Sequence, residues 1–248
     1  MSAKSARARV RAVIARACGA VFATVTLAGC AQTISLPFEW EAARFNASSA
    51  SYGVQLLSDG KWVPSIAVET LNPKFARQQV RYSTPYPVGT VVVDPDAKFL
   101  YLVMKDGYAL RYGIGVGREG FGWSGSAEIA RKAEWPTWTP PATMIRRQPE
   151  LARFRNGMAP GLDNPLGARA LYLYQNGRDT LYRIHGTNEP GSIGENVSSG
   201  CIRLLNQDVV DLYRRVSIGS RVVVLSHGQS SPVIADSESS HSVRLPRS

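Results

Sequence analysis

From Pro87 onward the chain alternates short apolar runs with polar turns. Val91-Val92-Val93-Asp94 and Phe99-Leu100-Tyr101-Leu102-Val103 are β-branched and aromatic runs, with Asp94-Pro95-Asp96 turning between them. Lys105-Asp106-Gly107-Tyr108 leads into Ala109-Leu110-Arg111-Tyr112. Three further runs follow: Ala170-Leu171-Tyr172-Leu173-Tyr174, Leu181-Tyr182-Arg183-Ile184 and Arg221-Val222-Val223-Val224-Leu225, the first two joined by Asn176-Gly177-Arg178. Runs of this length and make-up, bounded by Gly, Asn, Asp and Pro, predict strands and hairpins. One segment reads as a helix, Asn206 to Arg215, with Asn206 as N-cap and Val209, Val210, Leu212 and Tyr213 on its apolar side. The pattern predicts a mostly-β domain with one or two helices and no βα alternation.

The flanks are less regular. Residues 30–86 read as a tether and accessory segment, with Asn46 to Ser51 as a flexible spacer. Within it, Val54-Gln55-Leu56-Leu57 and Trp62-Val63 predict a hairpin around Ser58-Asp59-Gly60-Lys61, and Asn72 to Gln79 predicts a helical turn. Residues 87–226 form the main domain. Residues 227–248 are polar and serine-rich and are expected to be disordered.

Residues 1–29 read as a targeting segment. Lys4, Arg7, Arg9, Arg11 and Arg16 form a positive region, followed by an apolar stretch from Ala17 to Ala28. That stretch is shorter than the roughly 20 residues of a transmembrane helix but fits a signal core of roughly 7–15. Leu27-Ala28-Gly29-Cys30 looks like a bacterial lipobox, which implies cleavage before Cys30 and a lipid thioether on its sulfur. An ordinary signal peptide is the alternative. The expected location is the periplasm, with the lipid tethering the N-terminus to a membrane. Ala31 after the cut favours the outer membrane by analogy. The formal charge of +10 falls to +5 once this segment is removed. No basic block interleaved with aromatics remains, so nucleic acid is excluded as a partner.

Gly115-Val116-Gly117-Arg118-Glu119-Gly120 matches a dinucleotide-binding pattern. Phe121-Gly122-Trp123-Ser124-Gly125 behind it cannot open the required helix, so a glycine-rich loop is the better reading. The histidines are His185, His227 and His241; none stands at zinc spacing, and no metal or organic cofactor is expected. His227 and His241 read as solvated. Trp135-Pro136-Thr137-Trp138 could line a groove or could be a proline-braced loop packed on the core.

The strongest chemical signal is Cys201 in Ser198-Ser199-Gly200-Cys201-Ile202-Arg203, sixteen residues after His185 in Ile184-His185-Gly186-Thr187. Of the other cysteines, Cys18 lies in the targeting segment and Cys30 in its lipobox, so the exported domain keeps an odd thiol. Such a thiol is reactive or makes an intermolecular bridge. The reactive reading pairs it with an imidazole base, because the thiolate is the nucleophile and an ordinary thiol titrates near 8.5. Successive N–H groups of Ser199, Gly200 and Cys201 could converge as an oxyanion hole.

These residues together resemble the bacterial L,D-transpeptidase catalytic domain of the YkuD type, ErfK/YbiS-like. That family carries a histidine, a gap of about fifteen residues, and Ser/Thr-His-Gly-Cys followed by a hydrophobic residue and Arg or Asn. Pro87-Val88-Gly89-Thr90 and Asn164-Pro165-Leu166-Gly167-Ala168-Arg169 add to the likeness, which extends from about Val88 to Leu225. The resemblance implies a β-sandwich or barrel-like fold and a cysteine acyltransferase acting on peptidoglycan stem peptides. Cys201 would form a thioester with the third stem residue, meso-diaminopimelate, and release D-alanine. The acceptor would be an amine of another stem, a lipoprotein lysine, or water, the last making a carboxypeptidase. By the same carry-over His185 is the base, the Gly186 carbonyl orients it, and Arg203 binds a substrate carboxylate. Ser199 departs from the pattern, standing where the motif has its second histidine. A wall-binding lipoprotein without catalysis is the non-enzymatic alternative.

Overall fold

A computed structural model describes residues 49–117, 123–198 and 200–229. The expected signal segment and the expected lipidation at Cys30 lie outside these residues, as does Ser199.

The described chain opens with a 3-10 turn, Ser49–Tyr52, and a hairpin, β1 (Gln55–Leu56) and β2 (Trp62–Val63), paired Gln55 with Val63 and Leu56 with Trp62. A short 3-10 turn, Pro73–Phe75, follows where a longer helical turn was expected; Asn72 Oδ1 accepts from the Lys74 N–H. Proline fixes the first turn. The chain then extends into β3 (Gln78–Arg81), so Gln78 and Gln79 are strand.

Most of the remaining chain is one nine-stranded sheet. Its strands in chain order are β3, β4 (Val91–Asp94), β5 (Phe99–Val103), β6 (Tyr108–Gly113), β8 (Gly125–Glu134), β9 (Arg169–Gln175), β10 (Arg178–His185), β12 (Ile202–Arg203) and β13 (Arg221–Val224). Two short strands, β7 (Val116–Gly117) and β11 (Asn196–Ser198), pair separately in parallel. Across the large sheet the order is β12-β10-β9-β8-β13-β4-β5-β6-β3. Two neighbours are parallel, β10 with β12 and β13 with β4. Gly115, just past β6, also bridges Arg203 of β12, with two backbone hydrogen bonds of 2.9 Å. The sheet therefore curls, and its eight strands from β12 to β6 close on themselves.

Both faces are buried, and the period-two alternation of a strand sorts the residues. Val91, Val93, Leu100 and Leu102 enter one core, while Val92, Phe99, Tyr101 and Val103 enter another. The first core also takes Ile184, Ile202 and Leu204, and is capped by Val209 and Leu212 of helix α2 (Asn206–Arg215). A shorter helix, α1 (Ala142–Arg147), lies in the connection between β8 and β9. Of the glycine motif, Gly115 sits in its bridge and Val116–Gly117 in β7, and residues 118–120 lie outside the described residues. Trp135 is buried with Leu57, Val63, Ala168 and Val210, so it is a core residue and not a platform.

Tyr52 and Arg77 tie the N-terminal segment to α2. The Tyr52 hydroxyl lies 3.2 Å from both carboxylate oxygens of Asp208 and accepts the Arg77 N–H at 2.7 Å. Arg77 in turn lies 3.6 Å from Asp208 and 3.3 Å from Asp211. His227 is exposed but bound, its Nδ1 lying 2.6 Å from Asp96, whose Oδ2 also accepts the Gly228 N–H.

Candidate active site

His185 ends β10, and Cys201 immediately precedes β12. The parallel register pairs Ile184 with Ile202 and His185 with Arg203. Ile184 and Ile202 are fully buried in the main core. Alternation therefore puts Arg183, His185, Cys201 and Arg203 together on the opposite face. Cys201 falls beside Arg183 in this register, and the Arg183 backbone N–H hydrogen-bonds its sulfur. His185 is the diagonal neighbour, a relation spanning roughly 7–8 Å between backbones and within reach of long side chains. Gly200, before the thiol, has φ 118°, a conformation that side chains resist. The ring of Tyr182, stacked on Trp123 at 5.5 Å, lies against Gly200.

His185 is buried, and its Nδ1–H donates to the Gly186 carbonyl at 2.5 Å. A carbonyl can only accept, so this bond leaves Nε2 as the unprotonated nitrogen. Burial lowers the imidazole to about 4; the Gly186 carbonyl opposes this, and the charges of Arg203 and Arg183 add to it. Burial also pushes the Cys201 thiol up, against the Arg183 N–H and the two guanidinium charges, which favour thiolate. The arginines thus act on both partners in one sense, keeping the histidine neutral and assisting the anion on sulfur.

Both arginines have acidic partners. Arg203 Nη1 meets Glu189 Oε2 at 2.7 Å, with the Glu189 side chain 63% exposed. Arg183 forks onto both oxygens of Asp179 at 2.7 Å and lies over the Tyr172 ring. The sequence reading named Arg203 but not Arg183. Alternation from His185 was the available signal, since residues two apart on a strand share a face.

The loop behind His185 is held by a side chain the sequence reading assigned elsewhere. Leu205, and not Asn206, occupies the cap position of α2; Asn206 is its first helical residue. Its Oδ1 accepts the Ala168 N–H at 2.9 Å, and its Nδ2 donates to the Thr187 carbonyl at 2.9 Å. Gly167 and Gly186 press so closely on this amide that a Cβ on either would collide with Asn206 Oδ1. Asn164, fully buried, performs a similar task one step earlier. Its Nδ2 donates to the carbonyls of Pro136, Met158 and Ala159, and its Oδ1 accepts the Leu166 N–H.

The profile of the L,D-transpeptidase catalytic domain, YkuD, matches residues 89–224. Among curated proteins, YbiS of Escherichia coli strain K12, named a probable L,D-transpeptidase, is 36% identical over 139 residues, covering 54% of this chain and 43% of YbiS. ErfK/SrfK of the same organism, named likewise, is 38% identical over 141 residues, covering 54% of this chain and 43% of that protein. The chain thus spans less than half the length of these relatives. A crystal structure from Brucella melitensis, described as a probable carnitine operon oxidoreductase, is 50% identical over 64% of this chain and 99% of that one. Its TM-score is 0.44, too low to bear on the argument. The matched profile takes in β4 through β13 together with the His185 and Cys201 strands, and by that match the chain belongs to the L,D-transpeptidase catalytic domain family of the YkuD type.

Proposed function

We propose that this protein is a peptidoglycan L,D-transpeptidase whose nucleophile is Cys201. The observation that carries the reading is the shared face of two adjacent strands, with Cys201 diagonal to a buried His185 whose tautomer is set by Gly186. His185 Nε2 takes the thiol proton as the sulfur attacks the carbonyl of the third stem residue, meso-diaminopimelate. The same proton passes to the nitrogen of the departing D-alanine, leaving a thioester. An incoming amine attacks the thioester carbonyl and gives its proton to His185; as the new amide forms the C–S bond breaks, and His185 returns the proton to the Cys201 sulfur. With the thiol raised and the imidazole lowered, proton transfer belongs to the reaction and not to a resting ion pair. Backbone N–H groups from Ser199 to Cys201 are proposed for the oxyanion on sequence grounds.

Arg203 is proposed to receive a substrate carboxylate by exchange with Glu189. An ion pair exposed at its glutamate end is worth no more than about 1 kcal/mol, so exchange costs little. The acceptor is a second stem peptide or a lipoprotein lysine. Export to the periplasm and a lipid on Cys30, tethering the enzyme to the outer membrane, complete the proposal; the targeting segment supports both.

The test uses protein lacking residues 1–30, incubated with disaccharide-tetrapeptide muropeptides beside Cys201→Ala, with products followed by mass spectrometry. A 3→3 dimer formed with loss of D-alanine, and absent with Cys201→Ala, is the expected result. Tripeptide alone would assign water as the acceptor. No Cys201-dependent product would overturn the enzymatic reading in favour of wall binding.

A further inference from the structure

Beyond the cysteine and histidine, the geometry points to Asn206 as the residue that positions the base, acting through the Gly186–Thr187 backbone; this rests on His185 serving the reaction proposed above. Three observations converge on it. Asn206 uses both ends of its amide, accepting from Ala168 N–H and donating to the Thr187 carbonyl, each at 2.9 Å. Gly167 and Gly186 approach it too closely for any side chain, so the amide is in contact with the backbone of the residue whose carbonyl holds His185 Nδ1. Asn206 also begins α2, whose next turns are locked into the core through Val209 and Leu212. A rigid helix thereby reaches the loop through one planar amide.

Among the described residues, His185 bonds the Gly186 carbonyl and Asn206 bonds the Thr187 carbonyl. Gly186 N–H donates to the Arg169 carbonyl and the His185 carbonyl accepts from Leu204 N–H, which fixes the strand up to His185 but not the peptide beyond it. The orientation of the Gly186 carbonyl is set between those strand bonds and the Asn206 grip on Thr187. Without that grip the carbonyl can rotate away from Nδ1, and the imidazole loses its preference for Nε2 as acceptor. An asparagine fits this task because it offers a donor and an acceptor at fixed separation with no charge. Aspartate keeps the acceptor for Ala168 but sets an oxygen against the Thr187 carbonyl.

The experiment has one readout that needs no substrate. In protein labelled with 15N at histidine, the His185 ring shifts report which nitrogen carries the proton. Wild type is expected to show the Nδ1–H form, and Asn206→Ala and Asn206→Asp to show loss of that form or a mixture, with circular dichroism and melting confirming the fold. In the muropeptide assay the same variants are expected to lose about a hundredfold in kcat, with KM changed by less than about threefold, the size expected when a reacting group is displaced by about 1 Å. Should Asn206→Ala fail to fold, Asn206→Asp carries both readouts. Unchanged His185 shifts in a folded variant would overturn the inference, and so would full kcat. If wild type gave no Cys201-dependent product while the shifts moved as expected, the positioning role would stand and the proposed reaction would fall.

Discussion

A thiol raised by burial and an imidazole lowered to about 4 favour a resting neutral pair over an ion pair. This distinguishes the site from cysteine enzymes that hold a thiolate and imidazolium ready. Protein lacking residues 1–30 retains Cys201 as its one cysteine, so alkylation reports on it directly. Followed by intact mass, reaction with iodoacetamide is expected to climb continuously from about pH 5 to about pH 10, because only the small thiolate fraction reacts. A flat region between about pH 5 and pH 8 would contradict this and would mark a preformed ion pair.

Among the elements, the first turn of α2 is the most connected. Asn206 faces the active-site loop, Gln207 donates to the Pro64 carbonyl at 2.7 Å, and Asp208 receives Tyr52 and Arg77. The residues reached through Gln207 and Asp208 all precede the matched catalytic profile, so the N-terminal segment and the catalytic strands share one helical turn. Tyr52→Phe removes a buried hydroxyl that contacts Asp208 and leaves the Arg77 N–H without its acceptor. A loss of about 1–3 kcal/mol in urea unfolding is expected, as for a buried polar group left unpaired. A loss below about 0.5 kcal/mol would show that the segment does not rely on this contact.

How much of this was legible differs from element to element. β4 and β5 were, because continuous β-branched and aromatic runs fit strands buried on both sides. β8 was not, although it is the longest strand. Its Ala-Glu-Ile-Ala-Arg-Lys-Ala-Glu stretch is rich in helix formers, and only Ala127 and Ile129 are buried. Pairing with β9 and β13 on its two sides overrides that local preference. β3 was misread because Asn72-Pro73 does start a turn, which ends after three residues. At the site, Cys201 and His185 were readable because their chemistry is rare and their spacing short. Asn206 was not, because its partners are 38 and 19 residues away and its type fits a helix cap equally well.

For the molecule as a whole, two buried groups tilt stability in opposite directions with pH. His185 stays neutral in the fold down to about 4, while an unfolded histidine takes its proton near 6.5. Between these values the unfolded chain binds the extra proton, so this group makes stability rise with pH. Asp208 is raised to about 7, chiefly by burial and also by Asp211, against Arg77 and the Tyr52 hydroxyl. Its folded value exceeds the unfolded one, so its contribution is complete at low pH and is lost as pH rises through about 7. From about pH 4 to 6.5 the two slopes cancel. Asp208→Asn leaves the histidine slope unopposed, and the stability of that variant relative to wild type is expected to climb by about 1.4 kcal/mol per pH unit across this window. A constant difference, measured by urea unfolding at several pH values, would show that Asp208 ionises normally.

The place of β12 between β10 and Gly115 bears on when the proposed pair of Cys201 and His185 assembles during folding. The strand that brings Cys201 to the site is only two residues long and is secured on one side by β10 and on the other by Gly115. Neither contact is local, and pairing across long stretches of chain forms late because loop-closure entropy must be overcome first. Until β12 pairs with β10, Cys201 has no imidazole beside it. That pairing is thus also the step that assembles the proposed pair, and a chain folded short of it keeps its thiol apart from His185.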